Sequence, residues 1–383
     1  MSAYVRTLFT AACTKLPETI ELTANPKLPD PFTFIDGKKV TTKADWSCRR
    51  DEISQLFQRY ELGSLPPKPS GFAAVYLAGN LVILAAEGDK FIQFTVKITP
   101  ATGKASSPSP AIIGIGGLSL PQPEGVARIA FNNDEIAQQN SVSSRGKGKF
   151  YDLYGSDHSA SAMMAWTWGV SRVIDALEIT TGHGIDVKHL AVSGCSRNGK
   201  GTFVVGAFEP RIALTIPQES GAGGAGCWRI SDSMYERNIN TQTARQIIQE
   251  NVWLSTSFEK YVNTTAELPF DHHMLAGLIA PRALLVIDNT GIDWLGPESV
   301  WGCMKTANKV YQALGIPDAM GLSQIGNHSH CALPDSQVPD VGAFVDKFLK
   351  GQPTNTSILK TDGENELGFV DADWIDWTVP TLA

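Results

Sequence analysis

Apolar and polar positions alternate in blocks along this chain, and their spacing predicts strands and helices in turn. β-type runs lie at 71–78, 81–86, 91–99, 110–117, 126–131, 187–192, 212–217, 283–287 and 321–325. Apolar residues at helical spacing predict helices at 43–63, 159–180, 201–207, 298–313 and 337–350. Because strands that alternate with helices favour parallel pairing, we predict an α/β fold, a three-layer sandwich with a mostly parallel central sheet.

The two ends of the chain differ in composition from its middle. Residues 1–50 are rich in proline and polar groups, which predicts a segment that wraps around the domain. Residues 351–383 are rich in Pro, Thr and Asp, which predicts a tail that packs over the surface. No composition shift marks a domain boundary, so we expect residues 1–383 to form a single domain.

The charge and hydropathy of the chain argue against two classes of partner. The formal net charge is −7 and lysines and arginines do not cluster, so we expect the chain to bind no nucleic acid and no anionic membrane. No apolar run approaches the roughly 18 residues that a membrane-spanning helix needs. The first residues, Met1 to Arg6, lack the apolar core of a secretion signal, which leaves an intracellular protein or a chain whose signal has been removed.

The cysteine content favours the second of these options. The chain contains six cysteines, Cys13, Cys48, Cys195, Cys227, Cys303 and Cys331. An even number permits three disulfides, as in a secreted protein, although six free thiols are also common in cytosolic enzymes. Sequons for N-glycosylation at Asn263, Asn327 and Asn355 fit secretion but often arise by chance.

A serine between a predicted strand and a predicted helix is the most specific chemical signal. Residues 192–200 read Val-Ser-Gly-Cys-Ser-Arg-Asn-Gly-Lys. α/β-Hydrolases expose a nucleophilic hydroxyl on such a sharp strand-to-helix turn, so Ser196 is the candidate nucleophile. The match is imperfect, because Asn198 stands where a glycine is usual, and short Gly-Ser motifs also cap ordinary helices.

The candidate base follows the last predicted strand. His328 and His330 lie in Asn-His-Ser-His-Cys, where an α/β-hydrolase keeps its histidine. Cys195 directly precedes Ser196 and Cys331 directly follows His330, so a serine and a histidine in contact would bring the two cysteines within disulfide distance. This reasoning favours His330. A zinc site at the His-x-His pair has no third ligand motif, so we expect no metal.

A catalytic triad also needs an acid that orients the base, and two parts of the chain offer one. Glu219 lies in a glycine-rich loop after the strand at 212–217. Asp288 and Asp293 follow the strand at 283–287, where α/β-hydrolases more often keep the acid. Position in the sequence alone does not decide whether the acid is Glu219 or one of the two aspartates.

Three motifs together resemble the fungal glucuronoyl esterases, carbohydrate esterase family 15. The first is the strand-to-helix turn that carries Ser196, residues 194–200, which we call the elbow. The others are the Pro-Gln-Glu-Ser-Gly-Ala-Gly-Gly loop at 217–224 with Cys-Trp-Arg at 227–229, and His-Ser-His-Cys at 328–331. The motifs are long and occur in the order of that family, and the resemblance runs from about Cys13 to about Lys350. The family's elbow carries an arginine after the serine, so Asn198 belongs to the family's own form of the motif.

The resemblance implies an α/β-hydrolase fold and a role for each matching residue. Its triad is Ser-Glu-His, which corresponds to Ser196, Glu219 and His330, and Arg197 would contribute to oxyanion stabilisation. The residues that would bind the sugar are Lys200, Gln242, Glu250 and Trp294. The implied disulfides are Cys13–Cys48, Cys195–Cys331 and Cys227–Cys303.

The resemblance also implies the substrate, esters that link 4-O-methyl-glucuronic acid of glucuronoxylan to lignin alcohols. We therefore expect a secreted, glycosylated, monomeric serine esterase that needs no cofactor. Some members of the family carry a carbohydrate-binding module, but no Cys- and aromatic-rich segment or Ser/Thr-rich linker flanks the domain here, so we expect none. Another carbohydrate esterase, such as an acetyl-xylan or feruloyl esterase, is one alternative, and a non-catalytic carbohydrate-binding protein on a hydrolase fold is another. The complete set of Ser196, Glu219 and His330 argues against a binding protein.

Overall fold

A computed structural model of the chain describes residues 13–104 and 106–383. The strands of the described residues are β1 Gly71–Leu77, β2 Asn80–Glu87, β3 Lys90–Thr99, β4 Ser109–Ile115, β5 Ala127–Phe131, β6 Ile185–Cys195, β7 Ile212–Gln218, β8 Ala283–Asp288, β9 Met320–Gln324 and β10 Leu359–Thr361. The α-helices are α1 Lys43–Phe57, α2 Asn133–Ile136, α3 Lys149–Tyr154, α4 Ala162–Ile179, α5 Arg197–Phe208, α6 Trp228–Glu236, α7 Ala244–Glu250, α8 His272–Ile279, α9 Pro297–Ala313, α10 Val338–Phe348 and α11 Asp371–Trp374.

All of these strands join one sheet, in the order β1-β2-β3-β5-β4-β6-β7-β8-β9-β10. β1, β2, β3 and β5 pair antiparallel, and every pair from β5 onward is parallel. The central strand β4 is buried along its whole length, as expected of a parallel strand that is covered on both faces. The carboxyl ends of β6, β7, β8 and β9 therefore meet at one edge of the sheet.

Helices cover the sheet unevenly on its two faces. A large apolar cluster on one face includes residues of α4, α5, α8 and α9, among them Trp166, Phe203 and Met304. A smaller cluster on the other face packs Phe344 and Val345 of α10 against the sheet. α4 is buried from Ala162 to Leu177, so it runs through the core as a helix that is apolar on nearly all sides. The predicted three-layer sandwich is confirmed.

The observed elements differ from the predicted ones mainly in the second half of the chain. Every predicted strand is present within a few residues of its expected bounds. The helix predicted at 201–207 begins earlier, at Arg197. The sequence pattern does not predict its first turn, because glycines, here at 199 and 201, have low helix propensity. α6 and α7 are short and lie where the hydrophobic pattern predicted no element.

The two ends of the chain pack against each other and against the helical layer. The N–H of Leu28 donates to Trp374 O at 2.9 Å, and His273 Nε2 lies 2.8 Å from Pro29 O. The segment predicted at 1–50 gives way to α1 at Lys43, and its residues 1–12 lie outside the described part of the chain. The tail does more than cover the surface, because it adds β10 to the sheet edge and buries Phe369. Within the described residues, no helix has the length and apolar character needed to cross a membrane.

Candidate active site

Ser196 occupies a strained turn between β6 and α5. Its backbone has φ 60° and ψ −126°, a conformation that residues other than glycine rarely adopt. Its N–H donates to Gln218 O at 2.9 Å, which extends the β6–β7 pairing into the turn. Gly194 permits the tight turn, because a Cβ there would lie 2.8 Å from Asn198 O. The serine is thereby held at the carboxyl edge of the sheet.

Glu219 and His330 are joined by a short hydrogen bond. His330 Nδ1 lies 2.6 Å from Glu219 Oε2, and the N–H of Cys331 donates to the same oxygen at 3.0 Å. Because Nδ1 faces a buried carboxylate, it carries the ring hydrogen and Nε2 is the basic nitrogen. Nε2 is buried without a hydrogen-bond partner among the described residues, and His330 and Ser196 line the same cleft.

The other residues considered for the triad do not contact His330 through hydrogen bonds. His328 Nε2 lies 2.9 Å from Ile325 O, and its Nδ1 lies 3.8 Å from Glu219 Oε1, behind the acid. Asp293 is exposed. Asp288 is buried and accepts a hydrogen bond from Gln324 at 2.8 Å. Burial raises the pKa of Asp288 to about 8, and the nearby charge of Glu219 adds to this shift, so Asp288 is protonated at neutral pH.

A disulfide joins the residues next to the serine and the histidine. Cys195 and Cys331 are bonded with a Cα–Cα distance of 5.7 Å. Cys13–Cys48 and Cys227–Cys303 are bonded as well, so all three pairs are those that the resemblance implies. Cys195, His330 and Cys331 form the one cluster of potential metal ligands within 13–104 and 106–383, but the disulfide occupies both sulfur atoms.

Ser196 lies on a cleft of about 450 Å³ that is also lined by the loop at 115–119. Arg197 is exposed on this cleft, and its Cζ lies 5.8 Å from the ring centroid of Trp253. Asn198 Oδ1 accepts a hydrogen bond from Asn133 at 3.1 Å, and the Asn198 amide packs on Gly116. The asparagine that departs from the usual elbow motif therefore connects the serine turn to the loop at 115–119 and to α2.

A second cavity, of about 410 Å³, is lined by Gln242, Glu250 and Trp294. Gln242 Nε2 donates to Glu250 Oε2 at 3.0 Å, and the Gln242 N–H donates to Trp294 O at 3.1 Å. Trp294 is 39% exposed and meets His330 edge to face, with ring centroids 4.9 Å apart. The residues predicted to bind sugar are thus gathered beside the histidine.

Lys200 connects this cavity to the loop that carries Glu219. Its Nζ donates to Ser220 O and Ala222 O, each at 2.6 Å, and to Gln242 Oε1 at 3.3 Å. The side chain is buried, and burial lowers the pKa of Lys200 to about 7, while the charge of Glu250 opposes this shift. The amino group of Lys200 is therefore buried and hydrogen-bonded to protein acceptors, one of which, Gln242, also lines the second cavity.

Trp253 is a site residue that the sequence did not indicate. Its ring centroid lies 5.6 Å from Lys200 Nζ and 5.8 Å from Arg197 Cζ, and its Nε1 donates to Gln139 at 2.7 Å. Trp253 thus packs under both cations of the elbow motif. It follows α7 in an irregular segment, and nothing in its local pattern distinguishes it from a core tryptophan.

The chain is similar to proteins of known activity. The family description "Glucuronyl esterase, fungi" matches residues 83–315. The 4-O-methyl-glucuronoyl methylesterase of Hypocrea jecorina is 58% identical over 374 residues, which cover 97% of this chain and 80% of that protein. The solved glucuronoyl esterase catalytic domain from Hypocrea jecorina has a TM-score of 0.93 at 58% identity and covers 96% of this chain and 100% of that one.

A further solved structure contains a sugar ester. It is a serine-to-alanine mutant of the glucuronoyl esterase from Sporotrichum thermophile in complex with methyl 4-O-methyl-β-D-glucopyranuronate. It is 47% identical, with a TM-score of 0.92, and covers 97% of this chain and 100% of that one.

The fold and the elbow define an α/β-hydrolase of the serine esterase class. The chain belongs to the fungal glucuronoyl esterase family, and it is a carboxylic ester hydrolase.

Proposed function

We propose that this enzyme hydrolyses esters of 4-O-methyl-glucuronic acid through an acyl-enzyme, with Ser196 as nucleophile, His330 as base and Glu219 as acid. The observation that carries the proposal is the 2.6 Å contact between Glu219 and His330, which leaves Nε2 free on the cleft that Ser196 lines. A strained serine beside a correctly oriented imidazole can attack an ester carbonyl.

The proposed reaction proceeds in two halves. His330 Nε2 takes the proton of Ser196 as the serine oxygen attacks the uronate carbonyl, and Glu219 stabilises the resulting imidazolium. The tetrahedral intermediate collapses, and His330 gives the proton to the departing alcohol. Water then attacks the acyl-enzyme by the same route and releases the free uronic acid.

Arg197 supplies donors for the oxyanion of the intermediate. Its backbone N–H is at the first position of α5, where a helix has no internal partner for it. Its side chain has no hydrogen bond to the described residues and faces the cleft. Preorganised donors of this kind are each worth about 3–4 kcal/mol of transition-state stabilisation.

The cavity next to His330 suits a sugar acid. Gln242 and Glu250 offer amide and carboxylate groups to ring hydroxyls, Lys200 lies behind them, and Trp294 offers a flat apolar face. Sugars present polar edges and an apolar face, so this combination favours a uronate over an acetyl group or a ferulic acid. The esters that we propose as natural substrates join glucuronoxylan to lignin alcohols.

Several features of the protein support secretion. Three disulfides are typical of proteins from oxidising compartments. The sequon residues Asn263, Asn327 and Asn355 are all exposed, as acceptors of N-glycans need to be. We propose a secreted glycoprotein with one catalytic domain across residues 1–383, and a monomer remains our prediction for the oligomeric state.

A comparison of substrates tests this function. The purified enzyme is assayed on benzyl 4-O-methyl-glucuronate, acetylated xylan and a feruloyl ester, and only the first is expected to be hydrolysed. Ser196→Ala should abolish this hydrolysis while leaving the fold intact. Faster release of acetate or ferulate would indicate another carbohydrate esterase, and binding of the sugar without turnover would indicate a non-catalytic protein.

The triad is tested with a pair of acid variants. Glu219→Ala should lower kcat by roughly 10³–10⁴-fold, as loss of the acid does in related triads, whereas Asp293→Ala, which removes an exposed carboxylate, should leave kcat near wild type. The reverse ranking would place the acid after β8.

A further inference from the structure

The amino group of Lys200 uses all its hydrogens on the protein. A lysine ammonium has three donors, and three acceptors surround this one, Ser220 O, Ala222 O and Gln242 Oε1. Two of the three are backbone carbonyls of the loop that begins at Glu219. The two bonds to the loop carbonyls are 2.6 Å each, whereas the bond to Gln242, which lines the second cavity, is 3.3 Å.

The acid loop, residues 219–226, forms internal hydrogen bonds, but none of them reaches the carbonyls of Ser220 and Ala222. The N–H groups of Gly224 and Gly226 donate to Gly221 O, at 3.0 and 2.9 Å. Ser220 and Ala222 are fully buried, and in the described part of the chain no other donor reaches either carbonyl. Buried carbonyls without a donor are unfavourable, so the loop conformation depends on the lysine.

Lys200 is also fixed at its other end, in the first turns of α5. Its N–H donates to Ser196 O at 3.0 Å, so the lysine backbone is tied to the nucleophile and its side chain is tied to the acid loop. The ring of Trp253 also packs against the amino group, with its centroid 5.6 Å from Nζ. Nucleophile and acid are therefore connected through one residue.

We propose that Lys200 is a positioning residue for the catalytic acid: by binding Ser220 O and Ala222 O it holds Glu219 against His330. This inference rests on the proposed function of Ser196, Glu219 and His330. It assigns Lys200 a role that does not require sugar, in addition to the sugar contact that the family resemblance implies. Loss of the amino group should disturb the triad even when no carbohydrate is present.

A small reagent without sugar separates the two roles. Phenylmethylsulfonyl fluoride forms a sulfonyl ester at an activated serine, with loss of fluoride, and its rate reports how well His330 accepts the serine proton. We expect Lys200→Met, which keeps chain length but cannot donate, to lower the labelling rate by about 10²-fold, the usual cost of a misplaced catalytic group. The same variant should lower kcat on benzyl 4-O-methyl-glucuronate.

Gln242→Ala is the matched comparison on the sugar side. It removes the third acceptor of Lys200 and a cavity side chain but leaves both loop carbonyls bonded, so it should raise KM for the glucuronate ester without slowing serine labelling. If Lys200→Met raises KM but labels at the wild-type rate, Lys200 is only a sugar contact and the proposal is overturned.

Two controls keep the test decisive. Near-ultraviolet circular dichroism and thermal unfolding check the fold of each variant. If Lys200→Met does not fold, the labelling comparison is made with Lys200→Leu, which also cannot donate a hydrogen bond, and a wild-type rate there likewise overturns the proposal. Ser196→Ala must resist labelling. Failure of the wild-type enzyme to label at Ser196 would overturn the proposed function itself, whereas labelled wild type with equally labelled lysine variants would overturn only the positioning role.

Discussion

Three active-site residues hold backbone conformations that glycine usually supplies. Ser196, Glu219 and Cys331 have φ values of 60°, 45° and 65°, and each such conformation costs about 1–3 kcal/mol. Local bonds maintain them, because the Glu219 N–H donates to Ile287 O at 2.7 Å and the Cys331 N–H donates to Glu219. Strain is thus concentrated where the proposed nucleophile, acid and base converge.

Asp288 should make the stability of the protein dependent on pH. Its pKa is about 8 in the folded protein because of burial, against about 3.9 in an unfolded chain. The folded state therefore holds this proton more tightly. The stabilisation is fully present below about pH 4 and is lost as pH rises through about pH 8, at a slope of up to about 1.4 kcal/mol per pH unit.

Asp288→Asn removes this titration. Denaturant unfolding measured from pH 5 to pH 8 should show a smaller loss of unfolding free energy in Asp288→Asn than in wild type. Asp293→Asn, at an exposed carboxylate, serves as the control and should follow the wild-type curve. An Asp288→Asn curve parallel to wild type would mean that Asp288 is ionised in the folded state.

At the level of elements, the geometry of the site depends on how closely α5 approaches the acid loop. A Cβ at Gly199 would lie 2.5 Å from Gln218 O and 3.2 Å from Ser220 Cβ. Only a glycine lets the first turn of the helix lie this near the end of β7. The same contact brings Lys200 within reach of the loop carbonyls.

Gly199→Ala should push α5 and the acid loop apart. Overpacking of this kind typically costs about 1–3 kcal/mol, so we expect a lower unfolding free energy together with a lower kcat. The matched control is Gly342→Ala in α10, where a Cβ would meet no atom within 4 Å. There alanine should stabilise the helix by about 0.5–1 kcal/mol. Equal effects of the two substitutions would show that the elbow has room for a side chain.

The elements and the candidate triad differ in how far a sequence can predict them. Long buried strands such as β4 and β6 are visible as continuous apolar runs, and the family resemblance of three motifs selects Ser196, Glu219 and His330 as the candidate triad. The contacts of Lys200 with the loop could not be predicted, because they join backbone carbonyls to a side chain 20 residues away. Trp253 likewise becomes part of the site only through tertiary packing.

On the scale of the whole molecule, the Cys195–Cys331 bond connects distant parts of the chain at the active site. It spans 136 residues, whereas Cys13–Cys48 spans 35. A chain-entropy treatment gives about 5 kcal/mol for the longer closure and about 4 kcal/mol for the shorter one. The first bond therefore contributes at least as much stability as the second and, in addition, lies beside the reacting groups.

Removal of each disulfide should separate these two effects. The pair Cys195→Ser and Cys331→Ser should reduce both the unfolding free energy and kcat, since it frees the chain on either side of Ser196 and His330. The pair Cys13→Ser and Cys48→Ser should reduce stability with little effect on kcat. Retention of full turnover in the first double variant would show that the loop at 326–332 holds His330 without the bond.

The edge-to-face packing of Trp294 on His330 gives the enzyme an internal optical reporter. In the proposed reaction His330 accepts the serine proton, which places a positive charge on a ring whose centroid is 4.9 Å from that of the indole, close enough to perturb its π electrons. The emission of Trp294 should therefore fall whenever the imidazolium is present. Protonation of the base should then be measurable, without any added dye, as the part of the fluorescence quenching that Trp294→Phe removes in this chain of nine tryptophans.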